Sequence, residues 1–236
     1  PASVMGYSDA GDVVEVGDSV PDVGIGQPMS MLSPHAEYVA GSLGEDGVAL
    51  PMPEGMSYTM ASFLPLASGA VAWTLIPPVE PGDTVVVLGQ GLVGNLCAQA
   101  VRQRRPGRVI VVDAIDLRCR VAEECGADEV INVSETDSVQ AVRALTDGRG
   151  ADVVVECAGG HGGIKSFEQA QRMVKDDGVI HLIAKYQGGP LPLDSDLMMD
   201  KLLVAGLRTS VPHTQRIRDA AQMLLDGRIQ VGPIVT

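Results

Sequence analysis

The chain has 236 residues, of which 45% are hydrophobic and 20% are charged. This is the composition of an ordinary globular protein with enough apolar side chain for a sizeable core, which excludes a disordered chain. Seventeen basic residues against 30 acidic ones give a formal net charge of −13, which disfavours binding to nucleic acid or to an anionic membrane surface. At roughly 150 residues per domain, the length predicts one large or two small domains.

The four cysteines form no C-x-x-C pair and match no zinc-ribbon or zinc-finger spacing. Cys97, Cys125 and Cys157 lie in apolar stretches, which predicts buried free thiols in a reducing compartment, and we therefore expect a cytoplasmic protein. No apolar run approaches the ~18 residues of a membrane span. Because the chain begins at Pro1 and stops directly after an apolar run, we expect a fragment of a longer protein.

Residues 1–56 contain short β-prone segments separated by glycine and proline, which predicts a small irregular β domain. The strand candidates are Asp12–Val16, Ala36–Ala40 and Gly47–Leu50. From residue 57 to residue 76 the chain is small and apolar, and Pro65 interrupts it, so we predict two short helices.

From Thr84 onward, short Val- and Ile-rich runs alternate with helical periodicity. Strands of this kind are buried on both faces, so the pattern predicts a parallel, helix-covered sheet in a doubly wound α/β domain. The predicted strands are Thr84–Leu88, Arg108–Val112, Glu129–Val133, Asp152–Cys157, Gly178–Ile183 and Leu202–Leu207. The predicted helices are Leu92–Arg104, Asp116–Cys125, Ser138–Thr146, Ile164–Val174 and Gln215–Leu225, and Gly227 ends the last one.

A G-x-G-x-x-G segment follows the first of these strands. With 28 glycines in the chain such a match can arise by chance, but here a buried strand precedes it and a helix begins inside it. Gly89 permits the tight turn, Gly91 lets a pyrophosphate approach the backbone, and Gly94 lets the helix pack closely on the sheet. The helix start at Leu92 and Val93 offers free N–H groups to the phosphates. The segment predicts dinucleotide binding; the alternative is an ordinary glycine-rich turn.

Asp113 follows Gly94 by 19 residues, at the end of the next strand. Its carboxylate can accept hydrogen bonds from the adenosine ribose and would repel a 2′-phosphate, which predicts NAD rather than NADP as the cofactor. The alternative is a carboxylate that caps the following helix. Arg118, one turn into that helix, lies against the adenosine or is a solvated surface charge; the sequence favours neither.

These segments together resemble the medium-chain dehydrogenase/reductase superfamily, in its zinc alcohol and polyol dehydrogenase branch. The resemblance runs over essentially the whole chain and is specific to the superfamily, not to one substrate. The segments that carry it are Val13–Val20 (VVEVGxxV), His35–Val39 (HAEYV), Pro81–Gly94, Arg118–Ala127 (RxxxAxxxGA) and Gly150–Gly159 (GADVVxExxG).

The resemblance implies part of a GroES-like catalytic domain over residues 1–70 and a dinucleotide-binding Rossmann domain over 71–208. Residues 209–236 would begin the return to the catalytic domain. It further implies that Cys157, Ala158 and Gly159 lie beside the adenosine half of the cofactor, and that Leu182, Ile183 and Ala184 lie beside the nicotinamide amide. The alternative for both groups is a buried strand end. The strand Leu202–Leu207 would be a dimer edge, so a homodimer or homotetramer is expected.

The chain departs from the family pattern at the zinc ligands. Zinc members carry Gly-His-Glu where this chain has Gly6-Tyr7-Ser8, and polyol members carry Glu-Pro-Leu where it has Leu64-Pro65-Leu66. Asp9 is a nearby carboxylate but stands one position off, and the four-cysteine lobe for a structural zinc has no counterpart. Because zinc needs Cys, His or carboxylate ligands, we predict that no catalytic zinc is bound.

Two residues of this region are open to a functional interpretation. Tyr7 would polarise a carbonyl by hydrogen bonding, or it fills the space that the metal leaves. His35 would shuttle a proton, or it packs at the start of a strand. The leading hypothesis is a zinc-free NAD-dependent enzyme that transfers a hydride between nicotinamide and a secondary alcohol or its ketone. The alternatives are a zinc-free quinone or enoyl reductase, favoured by Leu64–Ala67 and Trp73, and a non-catalytic NAD-binding pseudoenzyme.

Overall fold

A computed structural model describes residues 6–43, 49–160, 162–185 and 189–235. The chain divides into two compact units. One comprises the residues up to Gly69 together with Val211–Val231, and the other comprises Ala70–Ser210 together with the residues from Gly232 onward.

The first unit contains a three-stranded antiparallel sheet in the order β1-β2-β3. Its strands are β1 (Asp9–Asp12), β2 (Pro28–Met31) and β3 (Ala49–Pro51). The predicted small β domain is present, but its strands are not the predicted ones.

Two of the three strand predictions for this unit are wrong. The strand predicted from residue 12 ends at Asp12, and Val14 beyond it is 62% exposed. Residues 36–40 form no strand, and Tyr38 among them is 71% exposed. In the first run, Val13 exchanges backbone hydrogen bonds with Gly26 and Gln27, but residues 14–16 join no ladder among the described residues. Residues 36–40 likewise join none there, and pairing decides β-structure more than propensity does. Of the third predicted strand, residues 47 and 48 lie outside the described part of the chain, and Ala49 and Leu50 belong to β3.

A single helix, α1 (Tyr58–Trp73), replaces the two predicted helices, and Pro65 lies inside it. A proline in a helix leaves the carbonyl four residues earlier without its N–H donor. Here that carbonyl belongs to Ala61, and it accepts a 2.7 Å hydrogen bond from the buried Ser30 hydroxyl of β2. The Ser8 hydroxyl donates in the same way to the carbonyl of Ser62. Side chains distant in the sequence therefore allow the helix to continue through its proline.

The second unit is built on a six-stranded parallel sheet in the order β6-β5-β4-β7-β8-β9. This order confirms the predicted doubly wound sheet. The strands are β4 (Thr84–Leu88), β5 (Arg108–Asp113), β6 (Glu129–Asn132), β7 (Ala151–Glu156), β8 (Val174–Leu182) and β9 (Leu202–Ala205).

Helices α2 to α5 connect these strands, and α6 belongs to the first unit. Gly227, with φ +71°, follows the last turn of α6 as predicted. The helices are α2 (Leu92–Arg102), α3 (Asp116–Glu124), α4 (Ser138–Leu145), α5 (Gly163–Met173) and α6 (His213–Leu225).

The core of the second unit lies between the sheet and the helices that cover it. The central strand residues Val86, Ile110 and Val154 are fully buried and pack with Phe167 and Met173 of α5. Burial on both faces explains why these strands are nearly continuous runs of valine and isoleucine. Among the described residues, no helix is both long enough and apolar enough to span a membrane.

We predict that the Ser30 hydroxyl stabilises the first unit only because Pro65 is present. Ser30→Ala leaves the buried Ala61 carbonyl without a donor, which costs about 1–3 kcal/mol. In a Pro65→Ala background the backbone regains an N–H at position 65, so the same substitution should cost measurably less. Urea unfolding followed by circular dichroism gives both differences. Ser62→Ala, at an exposed hydroxyl of the same helix, is the control, and an equal cost of Ser30→Ala in both backgrounds contradicts the interpretation.

Candidate active site

The G-x-G-x-x-G segment, Gly89–Gly94, forms a glycine loop that joins the end of β4 to the start of α2. The Gly89 N–H donates a 2.7 Å hydrogen bond to the carbonyl of Val112, and the Cys157 N–H donates a 2.8 Å bond to the carbonyl of Leu88. The loop therefore continues the ladders to both neighbouring strands just where β4 ends. Gly89 has φ +84°, a left-handed conformation that glycine adopts without steric cost.

Two glycines of the loop are required by close packing. A Cβ on Gly94 would lie 1.7 Å from the carbonyl oxygen of Gly89 and 3.2 Å from the Cβ of Cys157. A Cβ on Gly89 would lie 2.8 Å from the backbone of Ala158. The first turn of α2 thus rests directly on the loop and on the segment after β7.

Gly91 has a different role because it faces open space. The nearest atom to a Cβ built there is the Cζ of Arg118, 4.0 Å away. Gly91 is the N-cap of α2 and has no side chain to bind the first N–H groups of the helix. By contrast, α4 is capped by Asp137, whose carboxylate accepts from Val139 and Gln140. The start of α2, at Leu92 and Val93, therefore keeps free N–H groups of the kind that bind phosphate.

Asp113 ends β5 and is 8% exposed. Its Oδ2 accepts a 2.6 Å hydrogen bond from the N–H of Gln90 in the glycine loop. Its Oδ1 accepts from the N–H groups of Ala114 and Ile115, at 2.8 and 2.9 Å. The side chain therefore holds the turn before α3, but it does not cap the helix as the alternative interpretation expected, because the N-cap is Ile115 and no described side chain bonds to it as a cap. A carboxylate offers about four acceptor positions, so room remains for a ligand hydroxyl.

A cavity of about 610 Å³ opens beside this carboxylate. Arg118 also lines it, with its Nη1 3.7 Å from Asp113 Oδ2. Of the residues predicted to bind the cofactor, the cavity brings together Gly89, Gly91, Asp113, Arg118, Cys157, Ala158 and Gly159.

The opposite wall of the cavity consists of residues that the sequence analysis missed. Four residues of the α5 segment line it at helical spacing, so they share one face. Val133 and Ser134, after β6, line the cavity on the Asp113 side, since the Val133 N–H donates a 2.9 Å bond to the Asp113 carbonyl. The sequence does show these four residues at the spacing i, i+3, i+4, i+7, which places them on one helix face. Only the order of the strands shows that this face lines the cavity. The four residues are Gly162, Lys165, Ser166 and Gln169.

Glu156, at the end of β7, fixes the backbone on this side of the sheet. It is fully buried, and its Oε1 accepts from the Ser166 hydroxyl at 2.6 Å and from the Ala158 N–H at 3.0 Å. Its carbonyl accepts from the N–H groups of Ile183 and Ala184, at 3.0 and 3.2 Å. Glu156 is thus a positioning residue that ties the cavity wall to the end of β8.

Cys157 lines the cavity as a neutral thiol. A hydrogen bond with the Cys97 thiol and burial together raise the pKa of Cys157 well above its usual value. A thiol that stays protonated is a poor nucleophile, so the site offers shape here and no covalent chemistry.

The predicted nicotinamide residues lie apart from the cavity lining. Leu182 is the last residue of β8, and Ile183 and Ala184 follow it. Leu182 and Ala184 are half-buried and Ile183 is 8% exposed. Leu92, Val93 and Gly94 likewise do not line the cavity, although α2 begins with them.

The positions that resemble zinc-ligand positions do not fit a metal within the described residues. Leu64 is fully buried in α1 and has no donor atom. The Ser8 hydroxyl donates to Ser62, and Asp9 accepts from the N–H of Ala10. Across the part of the chain that the structure describes, no group of three His, Cys, Asp or Glu side chains stands close enough to hold an ion.

Tyr7 and His35 are both exposed residues of the first unit. The Tyr7 side chain is 56% exposed. The His35 ring lies against Gly6, where a Cβ would be 2.2 Å from its Nε2, so it packs on the residue before Tyr7 and not at the start of a strand.

The second unit as a whole fits a bound dinucleotide. The glycine loop leaves open space at Gly91 and free N–H groups at the start of α2, and Asp113 lies in the wall of the adjoining cavity. These features supply what a pyrophosphate and a ribose diol need from a protein.

Known proteins share both the sequence pattern and the fold. D-guloside 3-dehydrogenase of Escherichia coli K12 is 32% identical over 155 residues, which cover 66% of this chain and 44% of that protein. L-threonine 3-dehydrogenase of Bacillus licheniformis is 27% identical over 268 residues, covering 100% of this chain and 75% of that protein. A zinc-dependent alcohol dehydrogenase structure from Streptococcus pneumoniae, 23% identical, superposes with a TM-score of 0.83 over 98% of this chain and 74% of that one.

The chain spans less than half the length of the first of these relatives. Residues 93–226, more than half of the chain, match the sequence model of the family described as zinc-binding dehydrogenase. The chain therefore belongs to the zinc-binding dehydrogenase family, within the medium-chain dehydrogenase/reductase superfamily.

Proposed function

We propose that this chain belongs to an NAD-dependent oxidoreductase that transfers a hydride between nicotinamide and a secondary alcohol or its ketone. The observation that carries the proposal is the glycine loop, with open space at Gly91, beside a cavity that Asp113 lines. The names of the relatives, a guloside 3-dehydrogenase and a threonine 3-dehydrogenase, support an alcohol as the substrate.

The phosphates of the cofactor would bind at the start of α2. Each free N–H there donates to a phosphate oxygen, and the positive end of the helix dipole favours the negative charge. Gly91 lets the phosphate approach the backbone, and the Gly89–Gly94 contact holds the first turn of α2 in place.

The adenosine ribose would bind at Asp113, with Cys157, Ala158 and Gly159 along the same cavity. The carboxylate accepts hydrogen bonds from the ribose hydroxyls and disfavours a 2′-phosphate in their place. This supports NAD over NADP. Arg118, which contacts Asp113 through its guanidinium, is the proposed partner of the adenosine on the α3 side.

The nicotinamide amide would bind at Leu182, Ile183 and Ala184. The Glu156 carbonyl accepts from the N–H groups of Ile183 and Ala184, which fixes the position of this segment at the end of β8. Bound nicotinamide supplies the hydride acceptor or donor, and the chain supplies its position.

The substrate oxygen would be stabilised without zinc. Leu64 and Ser8 are committed to packing and hydrogen bonding in α1, which leaves Tyr7 as the exposed polar group among the three positions. Its hydroxyl would donate a hydrogen bond to the developing alkoxide, which supplies part of the stabilisation that a metal gives in other enzymes.

Two other functions remain distinguishable by assay. A quinone or enoyl reductase would oxidise NADH with enones and not with simple ketones, and a pseudoenzyme would bind NAD and turn over neither class. A panel of ketones and enones with NADH therefore separates all three proposals.

Two further properties of the whole protein are proposals as well. The edge strand β9, where Leu202 is 60% and Leu203 is 37% exposed, would pair with a second copy in a homodimer or homotetramer. The four free cysteines, two of them buried, support a reducing compartment such as the cytoplasm.

Substitution of two loop glycines should separate binding from folding. Gly91→Ala adds a methyl group where nothing opposes it, so the melting temperature should change little while the Kd for NAD rises tenfold or more, an energy of about 1.4 kcal/mol. Gly94→Ala drives a methyl group into the Gly89 carbonyl and should destabilise the unit by about 1–3 kcal/mol. Calorimetry gives the binding, and Trp73 fluorescence gives the melting of the second unit. A Gly91→Ala variant that binds NAD as the parent does would remove the phosphate site from this loop.

Asp113 should set the preference for NAD. A carboxylate about 4 Å from a phosphate costs up to about 4 kcal/mol at an effective dielectric near 20, and less after salt screening. Wild type should therefore bind NAD more tightly than NADP, and Asp113→Ser should reduce the ratio. Asp113→Asn keeps the size and removes the charge, but its NH2 group also replaces one of the two oxygens that accept backbone N–H bonds, so the melting temperature of each variant is measured as the control for folding. Fluorescence titration with both cofactors is the measurement, and equal affinities in wild type would refute the assignment.

The metal-free mechanism makes a third prediction. Metal analysis should find no stoichiometric zinc, and a chelator should leave turnover unchanged. Tyr7→Phe should lower kcat by about 10²-fold or more, since it removes a hydrogen-bond donor to the developing charge. Tyr38→Phe, at another exposed phenol of the same unit, is the control. One zinc per chain with activity lost on chelation would contradict the metal-free mechanism; a full-rate Tyr7→Phe variant would remove only Tyr7.

A further inference from the structure

Three charged side chains line the cavity of the second unit: Asp113, Arg118 and Lys165. Asp113 is compensated by three backbone N–H donors and by Arg118, whose Nη1 lies 3.7 Å from its Oδ2. Lys165 is different, because the ion pairs found among the described residues do not include it. One ammonium group therefore faces the cavity without a carboxylate partner in the described part of the chain.

The helix α5 determines where this ammonium stands. Lys165 shares one face of the helix with Ser166 and Gln169, and this face forms the wall opposite Asp113. Ser166 is 8% exposed and donates at 2.6 Å to the buried Glu156. The wall that carries Lys165 is therefore anchored to the end of β7, and Lys165 itself is an exposed residue of the cavity lining.

We propose that Lys165 binds a phosphate group of the dinucleotide. The inference rests on the proposed function, since it assumes that the cofactor occupies this cavity. A chain with a net charge of −13 repels an anionic ligand at long range. Within the cavity the balance is reversed, with two cations against one carboxylate. Of the two cations, Arg118 already contacts Asp113, whereas Lys165 does not.

The attraction between Lys165 and a phosphate does not depend on one fixed side-chain conformation. A cavity of this volume is about 10 Å across, which is comparable with the Debye length of about 10 Å at 0.1 M salt. Any phosphate bound in it therefore feels the ammonium charge only partly screened. Because Lys165 is exposed, the attraction should be modest and should depend strongly on salt.

Two phosphates qualify as the ligand, namely the pyrophosphate that all these cofactors share and the 2′-phosphate of NADP. Both present the same anionic oxygens to an ammonium group. Three probes separate the two phosphates. ADP-ribose carries only the diphosphate, 2′-phospho-ADP-ribose carries both the diphosphate and the 2′-phosphate, and adenosine carries neither.

The experiment compares Lys165→Met, Lys165→Arg and Arg120→Met by calorimetry at about 0.02 M and 0.5 M salt. Arg120 is an exposed cation of α3 outside the cavity lining, so its loss matches the change in total charge. We expect Lys165→Met to raise the Kd for ADP-ribose about three- to tenfold at low salt and less than about twofold at high salt. Adenosine binding should not change, and Lys165→Arg should retain most of the affinity.

Each result is decisive. A loss with ADP-ribose assigns the pyrophosphate, and a loss confined to 2′-phospho-ADP-ribose assigns the 2′-phosphate; both support the inference. Equal Kd values for Lys165→Met and Arg120→Met with both phosphorylated probes overturn it, as does an equal loss with adenosine. If wild type binds NAD and turns over a ketone with NADH, and Asp113→Ser alters the NAD/NADP ratio, the proposed function stands whatever Lys165 does. If wild type binds neither NAD nor ADP-ribose, the proposed function fails and this inference fails with it.

Discussion

The backbone contact between Gly94 and Gly89 is the constraint on which the second unit depends. The first turn of α2 lies so close to the carbonyl of Gly89 that a single methyl group would stand 1.7 Å from it. Because the helix cannot move outward without breaking its packing on the sheet, its start is fixed directly above the end of β4. The free N–H groups of that start are thereby aimed at a fixed point, which is what recognition of a phosphate requires.

Two carboxylates complete this arrangement, one on each strand beside β4. In register, Leu88 pairs with Val112 on one side and with Glu156 on the other. Asp113 then binds N–H groups of the glycine loop and of the turn after β5, while Glu156 binds the Ala158 N–H and the hydroxyl of α5. Asp113 accepts from three backbone N–H groups, and Glu156 from one N–H and one hydroxyl, so each stabilises a loop whose shape the site needs. The difference lies in exposure to the cavity, which Asp113 lines and Glu156 does not.

The sequence predicted the second unit well and the first poorly, for a physical reason. Strands such as β4 and β7 are buried on both faces, so their continuous apolar residues are enough to predict them. The glycines of the loop are predictable because the local backbone requires them. In the first unit the strand-like residues 14–16 and 36–40 join no ladder in the described part of the chain, and the presence of a partner strand is not a local property. Likewise, nothing near Pro65 indicates that Ser30, 35 positions earlier in the chain, will bind the carbonyl that the proline leaves free. The α5 wall of the cavity was missed for the same reason, since only the strand order brings Lys165 opposite Asp113.

The positions that resemble those of the zinc ligands hold residues with structural contacts of their own. Leu64 now contributes apolar volume inside α1, and Ser8 binds a carbonyl in the helix turn that precedes Pro65. Both positions have acquired structural contacts that a metal ligand cannot make at the same time, because a hydroxyl that donates to a carbonyl and a buried isobutyl group have nothing to offer an ion. A glutamate at both positions, as in the zinc members, would leave a helix carbonyl without its donor and place a charge in an apolar interior. The packing of α1 is therefore incompatible with carboxylate ligands at these two positions, which supports the proposal that Tyr7, and not a metal, stabilises the substrate oxygen.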